Sequence, residues 1–234
     1  MADFIWLTAL RLLTALAVLV APLPALWLSG HVDRWDWSLL GMPGASEHQQ
    51  HVYQYWDKSL DTFTLAIACI VALRWKDPLV RRLAIAMFAW RVAGVTIFMA
   101  TGQREVLVAF PNVFEKLFFF YLVFRFLSRQ DLMLRSRADA VLVIVALTLP
   151  KIVDEYFVHV ASRPWQTVTL LPASVSTPDR EYWVWVPIML ALPVLAMARL
   201  LLRDRATTVD EKFPLPAALP APALPIATAR GDSP

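Results

Sequence analysis

Residues 149–160, LPKIVDEYFVHV, set Lys151, Asp154, Glu155 and His159 into a stretch that is otherwise apolar. On an ideal helix a step of four residues turns by only about 40°, so Lys151, Glu155 and His159 form one stripe with Asp154 beside it. Pro150 removes a backbone donor where that stripe begins and is expected to kink the helix. Other apolar stretches carry charges of the same kind: Lys58 and Asp61 in YWDKSLDTF, Arg91 beside Trp90, and Asn112, Glu115 and Lys116 in AFPNVFEKLFFF. An ionisable group taken out of water must meet an opposite charge or change its protonation state. That requirement suits such groups to holding a charged ligand or exchanging a proton. Asp61, Arg91, Asn112, Glu115, Lys151, Asp154, Glu155 and His159 are therefore the candidate ligand- or proton-binding residues.

Other chemistries find little footing. Cys69 is the only cysteine, so neither a disulfide within the chain nor a cysteine-based metal or redox site is expected. His48 and His51, three apart in EHQQHV, read as solvated loop residues, and no metal site or cofactor is expected. Catalytic signatures such as GxSxG and HExxH do not occur, nor does a glycine-rich phosphate loop.

The elements that position these residues follow from composition. With 58% hydrophobic residues, 18% charged residues and a mean hydropathy of +0.53, the chain lies outside the usual range of soluble proteins. A bilayer core about 30 Å thick takes roughly 20 apolar helical residues to cross. Six stretches qualify, near 6–28, 57–75, 83–101, 109–127, 139–160 and 183–202. The expected fold is all-α, a polytopic membrane bundle of about six helices over residues 1–205. An Ala- and Pro-rich tail at 206–234 is expected to be disordered and cytoplasmic. Arg11, inside the first span, is expected to snorkel to the surface, as are Lys58 and Lys116. Asp3 and the lack of a small-x-small cleavage site argue that the first stretch is retained rather than cut as a signal peptide.

Orientation comes from three basic clusters: Arg74, Lys76, Arg81 and Arg82; Arg125, Arg129, Arg135 and Arg137; Arg199, Arg203 and Arg205. With six spans all three fall on one side, which the positive-inside rule makes cytoplasmic, along with both termini. Segments 29–56, 102–108 and 161–182 then face outward, and the charges within the spans gather in the outer half. Because the basic residues lie between hydrophobic runs rather than on one soluble face, nucleic acid is excluded as a partner. The expected partners are membrane lipids and a small or lipidic ligand, with an oligomer allowed, in a bacterial cytoplasmic membrane.

Three functions fit this pattern. The first is an integral membrane protein binding or transporting a small or lipid-like molecule through the outer charged cluster. Arg91 and Lys151 would hold an anionic group while Asp61, Glu115 and Glu155 exchange protons. The second is a membrane-embedded enzyme acting on a lipid or isoprenoid: LPKIVDEYF and FPNVFEKLFFF resemble the proline-acid-aromatic edges of bacterial lycopene cyclases. The resemblance covers these two short stretches, and Lys116 follows Glu115 where that pattern has a second acid. The third is a noncatalytic assembly subunit whose ion pairs fix helix register.

Overall fold

The computed structural model describes residues 2–159 and 190–204, and among them every regular element is helical. The long helices are α1 (Ala2–Ala17), α2 (Pro22–Leu39), α3 (Glu47–Ala72), α4 (Pro78–Thr101), α6 (Val113–Ser128) and α7 (Arg137–His159). A short α5 (Val106–Ala109) precedes α6, and residues 190–204 form α8. The span expected at 183–202 is described from 190 onward. The segment 161–182 and the tail at 206–234 lie outside the described residues.

The first expected span, 6–28, is two helices. Turn-type hydrogen bonds from the Val18, Leu19 and Val20 amides end α1, and Pro22 starts α2 in its first turn. There the missing N–H costs nothing, because the first amides of a helix lack partners anyway. The two helices run back on each other, and α3 packs beside both. Phe4 and Thr8 near the start of α1 contact Trp56 in the first half of α3, the two rings 5.4 Å apart. Leu23 at the start of α2 lies instead with Arg125, Arg129 and Asp131, at the far end of α6. Among the described residues α1 therefore begins at one end of the bundle and α8 finishes at the other; the C-terminus, expected on the same face as the N-terminus, lies outside the described residues. The segment 29–56 holds the second half of α2, a single 3-10 turn at Met42–Gly44 and the first turns of α3. His48 and His51 sit on α3, both exposed.

Local signals explain the remaining boundaries. Ser46 and Gln49 form a reciprocal capping box at the start of α3. Asp77 caps α4 through the Leu79 and Val80 amides, with Pro78 in the first turn. The other oxygen of this fully buried carboxylate accepts from the Met133 and Leu134 amides at 2.8 and 2.9 Å. Gly102 ends α4 at φ +70°, in the left-handed region that glycine enters without a Cβ clash. The expected span at 109–127 is interrupted: Phe110 and Asn112 leave helical geometry on either side of Pro111.

The three basic clusters meet at one end of the bundle. Lys76 and Arg125 both pair with Asp131, at 2.8 and 2.7 Å, and Arg203 reaches Asp139 and Asp204 at 2.6 and 2.8 Å. Between the two ends runs an apolar core built from α3, α4, α6 and α7 around Phe114, Phe118, Tyr121 and Phe124. Trp75 lies 4.4 Å from Tyr121, ring to ring. Ala68, Ala72 and Ala84 let the helix backbones approach, while Leu13 (65% exposed) and Val20 (88%) point outward.

Candidate functional site

Two buried polar hubs occupy the end opposite the basic clusters. The first is centred on Glu155 of α7, which is 3% exposed. Its carboxylate accepts from the Asn112 amide at 3.2 Å, and lies 3.2 Å from Lys151 Nζ and 3.6 Å from Arg91 Nη1. One anion thus joins α7 to α4 and to the start of α6. The helix terminus contributes as well, since an N-terminal amide carries partial positive charge.

Each neighbour is held in turn. Lys151 donates to Asp154 at 2.5 Å, and Arg91 donates to the Phe110 carbonyl at 2.8 Å. Asn112 accepts from the Glu115 amide and donates to the Glu115 side chain at 2.9 Å. Lys116, 3.6 Å from Glu115, keeps 45% of its side chain exposed. Arg91, Lys116 and Lys151 against Glu115, Asp154 and Glu155 sum to zero formal charge. The second Asp154 oxygen, Oδ1, is buried with no hydrogen-bond partner.

The geometry depends on Gly94. A Cβ placed there would lie 2.2 Å from Phe110 Cβ, so only glycine lets the broken segment seat against α4. That seat presents the Phe110 carbonyl to Arg91 and the Asn112 amide to Glu155. Trp90 packs over Phe110 with ring centroids 4.6 Å apart.

The second hub was not expected. Arg11, assigned from sequence to snorkel outward, is 2% exposed and forks into four carboxylates. Its Nη1 donates to Asp36 at 2.6 Å and Asp57 at 2.8 Å, and its Nη2 to Asp33 and Asp61, each at 2.6 Å. Tyr53 donates to the other oxygen of Asp36. Lys58 pairs with Asp57 at 2.7 Å and Asp61 at 3.1 Å, its side chain only 16% exposed, so it does not snorkel either. The guanidinium also lies 5.3 Å from the Trp56 ring centre. Carboxylate oxygens of Asp33, Asp36 and Asp57 lie within 4.8 Å of one another, close enough to share a metal ion. The cation they share is Arg11.

Of the candidate residues, Arg91, Asn112, Glu115, Lys151, Asp154 and Glu155 come together in the first hub. Asp61 belongs to the second, and the His159 side chain lies outside the described residues. The hubs are linked through the packing of α3, which carries Asp57, Lys58 and Asp61, against α4, which carries Arg91. Sequence reasoning missed Asp33 and Asp36 because they fall where a loop was expected, and Arg11 because long cations near a span end commonly reach water. Comparison of the chain with protein-family models, with curated proteins and with solved structures finds no match.

Proposed function

We propose that the chain is a multi-spanning protein of a bacterial cytoplasmic membrane, with its basic end in the cytoplasm, that binds or transports a small or lipid-like molecule at the Glu155 hub. Among the described residues one helix, Pro78–Thr101, is by itself long and apolar enough to cross a membrane. The other long helices carry charges that count against them singly. Those charges pair with one another across helices, as hydrocarbon requires. The large apolar side chains pointing outward from α1, α2 and α7 favour the same reading, since water would disfavour so much exposed apolar surface.

The observation that carries the binding role is the setting of Glu155: a buried carboxylate holds two cations and a helix terminus that would equally suit a ligand's anionic group. A ligand anion would displace Glu155 from Arg91 and Lys151. Glu155 would then take up a proton, keeping the hub near neutrality. Asp61, held by Arg11 and Lys58, has a smaller part in that exchange than Glu115.

The experiment is a comparison of lipid and metabolite profiles in a deletion strain complemented with wild type, Glu155→Gln or Arg91→Gln. Accumulation of one compound in the deletion strain, reversed by wild type and by neither variant, is the expected result. Full complementation by both variants would refute a role for the hub. An assembly subunit is the second reading, favoured by the number of charges already satisfied within the chain. It predicts instead that a partner protein co-purifies and that exchanging Arg91 and Glu155 restores assembly.

A further inference from the structure

A groove of about 340 Å³ opens between α2 and the end of α6, at the end of the bundle where the basic clusters meet. Its size falls in the lower part of the range that bound small molecules occupy, about 300–1,000 Å³. Leu23, Leu122 and Phe126 give it an apolar wall, and Phe126 is 74% exposed. Arg125, Arg129 and Asp131 form its polar edge. Lys76 reaches that edge through Asp131, so three basic groups face one acid. Arg125 is partly neutralised by its 2.7 Å bond to Asp131, whereas Arg129 makes no ion pair among the described residues.

Arg129 is also the one non-glycine residue with positive φ among the described residues, at +57°. It stands at the cap where helices ordinarily place glycine, and a side chain there is strained against the following carbonyl. The cap geometry alone would be better served by glycine. The exposed guanidinium is what the strained position supplies in return.

We infer that this groove holds an anionic phospholipid, its phosphate between Arg129 and Arg125 and an acyl chain along Leu23, Leu122 and Phe126. The inference rests on the membrane reading above, which sets this end at the cytoplasmic headgroup level. Charge and shape both select the occupant: the rim carries excess positive charge, and the wall beside it is apolar and continuous with the outward faces of α2 and α6. Basic pockets between spans on the cytoplasmic side bind such headgroups for this reason.

The test uses the full chain purified in mild detergent, titrated with phosphatidylglycerol or with phosphatidylethanolamine of the same acyl composition. Retained lipid is counted by native mass spectrometry. Wild type is expected to keep phosphatidylglycerol about tenfold better, and loss of each arginine to lower that preference roughly fivefold. Arg129→Gly is the decisive variant, because glycine relieves the backbone and leaves the fold intact by circular dichroism. Arg125→Gln in the same background should remove the preference. Equal retention of the two lipids, a preference unchanged in the double variant, or displacement of phosphatidylglycerol by equimolar glycerol phosphate would overturn the assignment. Release of the chain from membranes by alkaline carbonate would instead refute the membrane reading itself. An integral chain that shows no lipid preference refutes only the groove.

Discussion

The two hubs at the same end of the bundle invert each other. At Arg11 one cation is surrounded by four acids drawn from α2 and α3, and with Lys58 included the acids still exceed the bases by two. At Glu155 one anion is surrounded by two cations and a helix terminus, and the formal charges of its group cancel. The first fastens the α1–α2 hairpin to α3 through every terminal nitrogen of a guanidinium, an arrangement that only a planar, forked cation can make. In the second, Arg91 and Lys151 each keep another partner and Glu155 is the exchangeable element. A cation buried among acids can hardly be removed without collapse, whereas an anion among cations can be replaced by another anion. That contrast is the reason the proposed ligand site is placed at the second hub rather than at the first.

The largest effect is therefore expected from Arg11→Met, which strands four carboxylates and should destabilise the protein by about 3–5 kcal/mol. In thermal melting followed by fluorescence-detected gel filtration, little monodisperse protein should survive, and Arg11→Lys should recover only part of the loss. Melting of Arg11→Met at the wild-type temperature would erase the distinction between the hubs. Gly94→Ala comes next. The new methyl group must push Phe110 away from α4, a cost of about 1–3 kcal/mol by the usual toll of overpacking. It should also impair complementation as much as Arg91→Gln does, which a purely structural glycine would not predict.

Glu155→Gln should be milder in stability, about 0.5–1.5 kcal/mol, because the amide keeps the shape and can still accept from Asn112. Its effect on complementation should nevertheless match or exceed that of Gly94→Ala. If Glu155→Gln melted as low as Arg11→Met, both hubs would be structural. The smallest effect concerns the opposite end. The hydrogen bond from Lys76, with Arg125 beside it, holds the Asp131 carboxyl below its ordinary range. A pKa lower in the folded state means stabilisation that is present above the unfolded value of about 4 and lost as pH falls through the folded one. Relative to Asp131→Asn, the wild type should thus lose its small advantage, at most about 1 kcal/mol, only below about pH 4. An advantage persisting at lower pH would show that the carboxylate's charge is not its source.

Much of the fold was legible where one helix carries its own signal. The apolar runs of α3, α4 and α7 announced themselves, and Lys151, Asp154 and Glu155 could be set on one side of α7 by spacing alone. The α1–α2 break was harder, since hydropathy is continuous across residues 18–28 and Pro22 reads equally as a kink or a start. With that break missed, the polar run from Ser29 to Trp37 became a loop, and Arg11 lost its partners. Pairings between helices were out of reach for the same reason: Asn112 with Glu155 spans 43 residues and Arg11 with Asp61 spans 50. No local pattern encodes such distances. Gly94 gave no warning either, because its role is fixed by a neighbour 16 positions away that comes close only in three dimensions.

Asp77 ties the loops at the basic end into one body. Its two oxygens take up four amide hydrogens, two from the first turn of α4 and two from the stretch between α6 and α7. Arg203 of α8 adds a grip on the Met133 carbonyl of that stretch. With Asp77 at one end and the Glu155 and Arg11 hubs at the other, the long helices are tied by buried ions near both of their ends, so tilting one of them past its neighbours must break an ion pair or an Asp77 hydrogen bond.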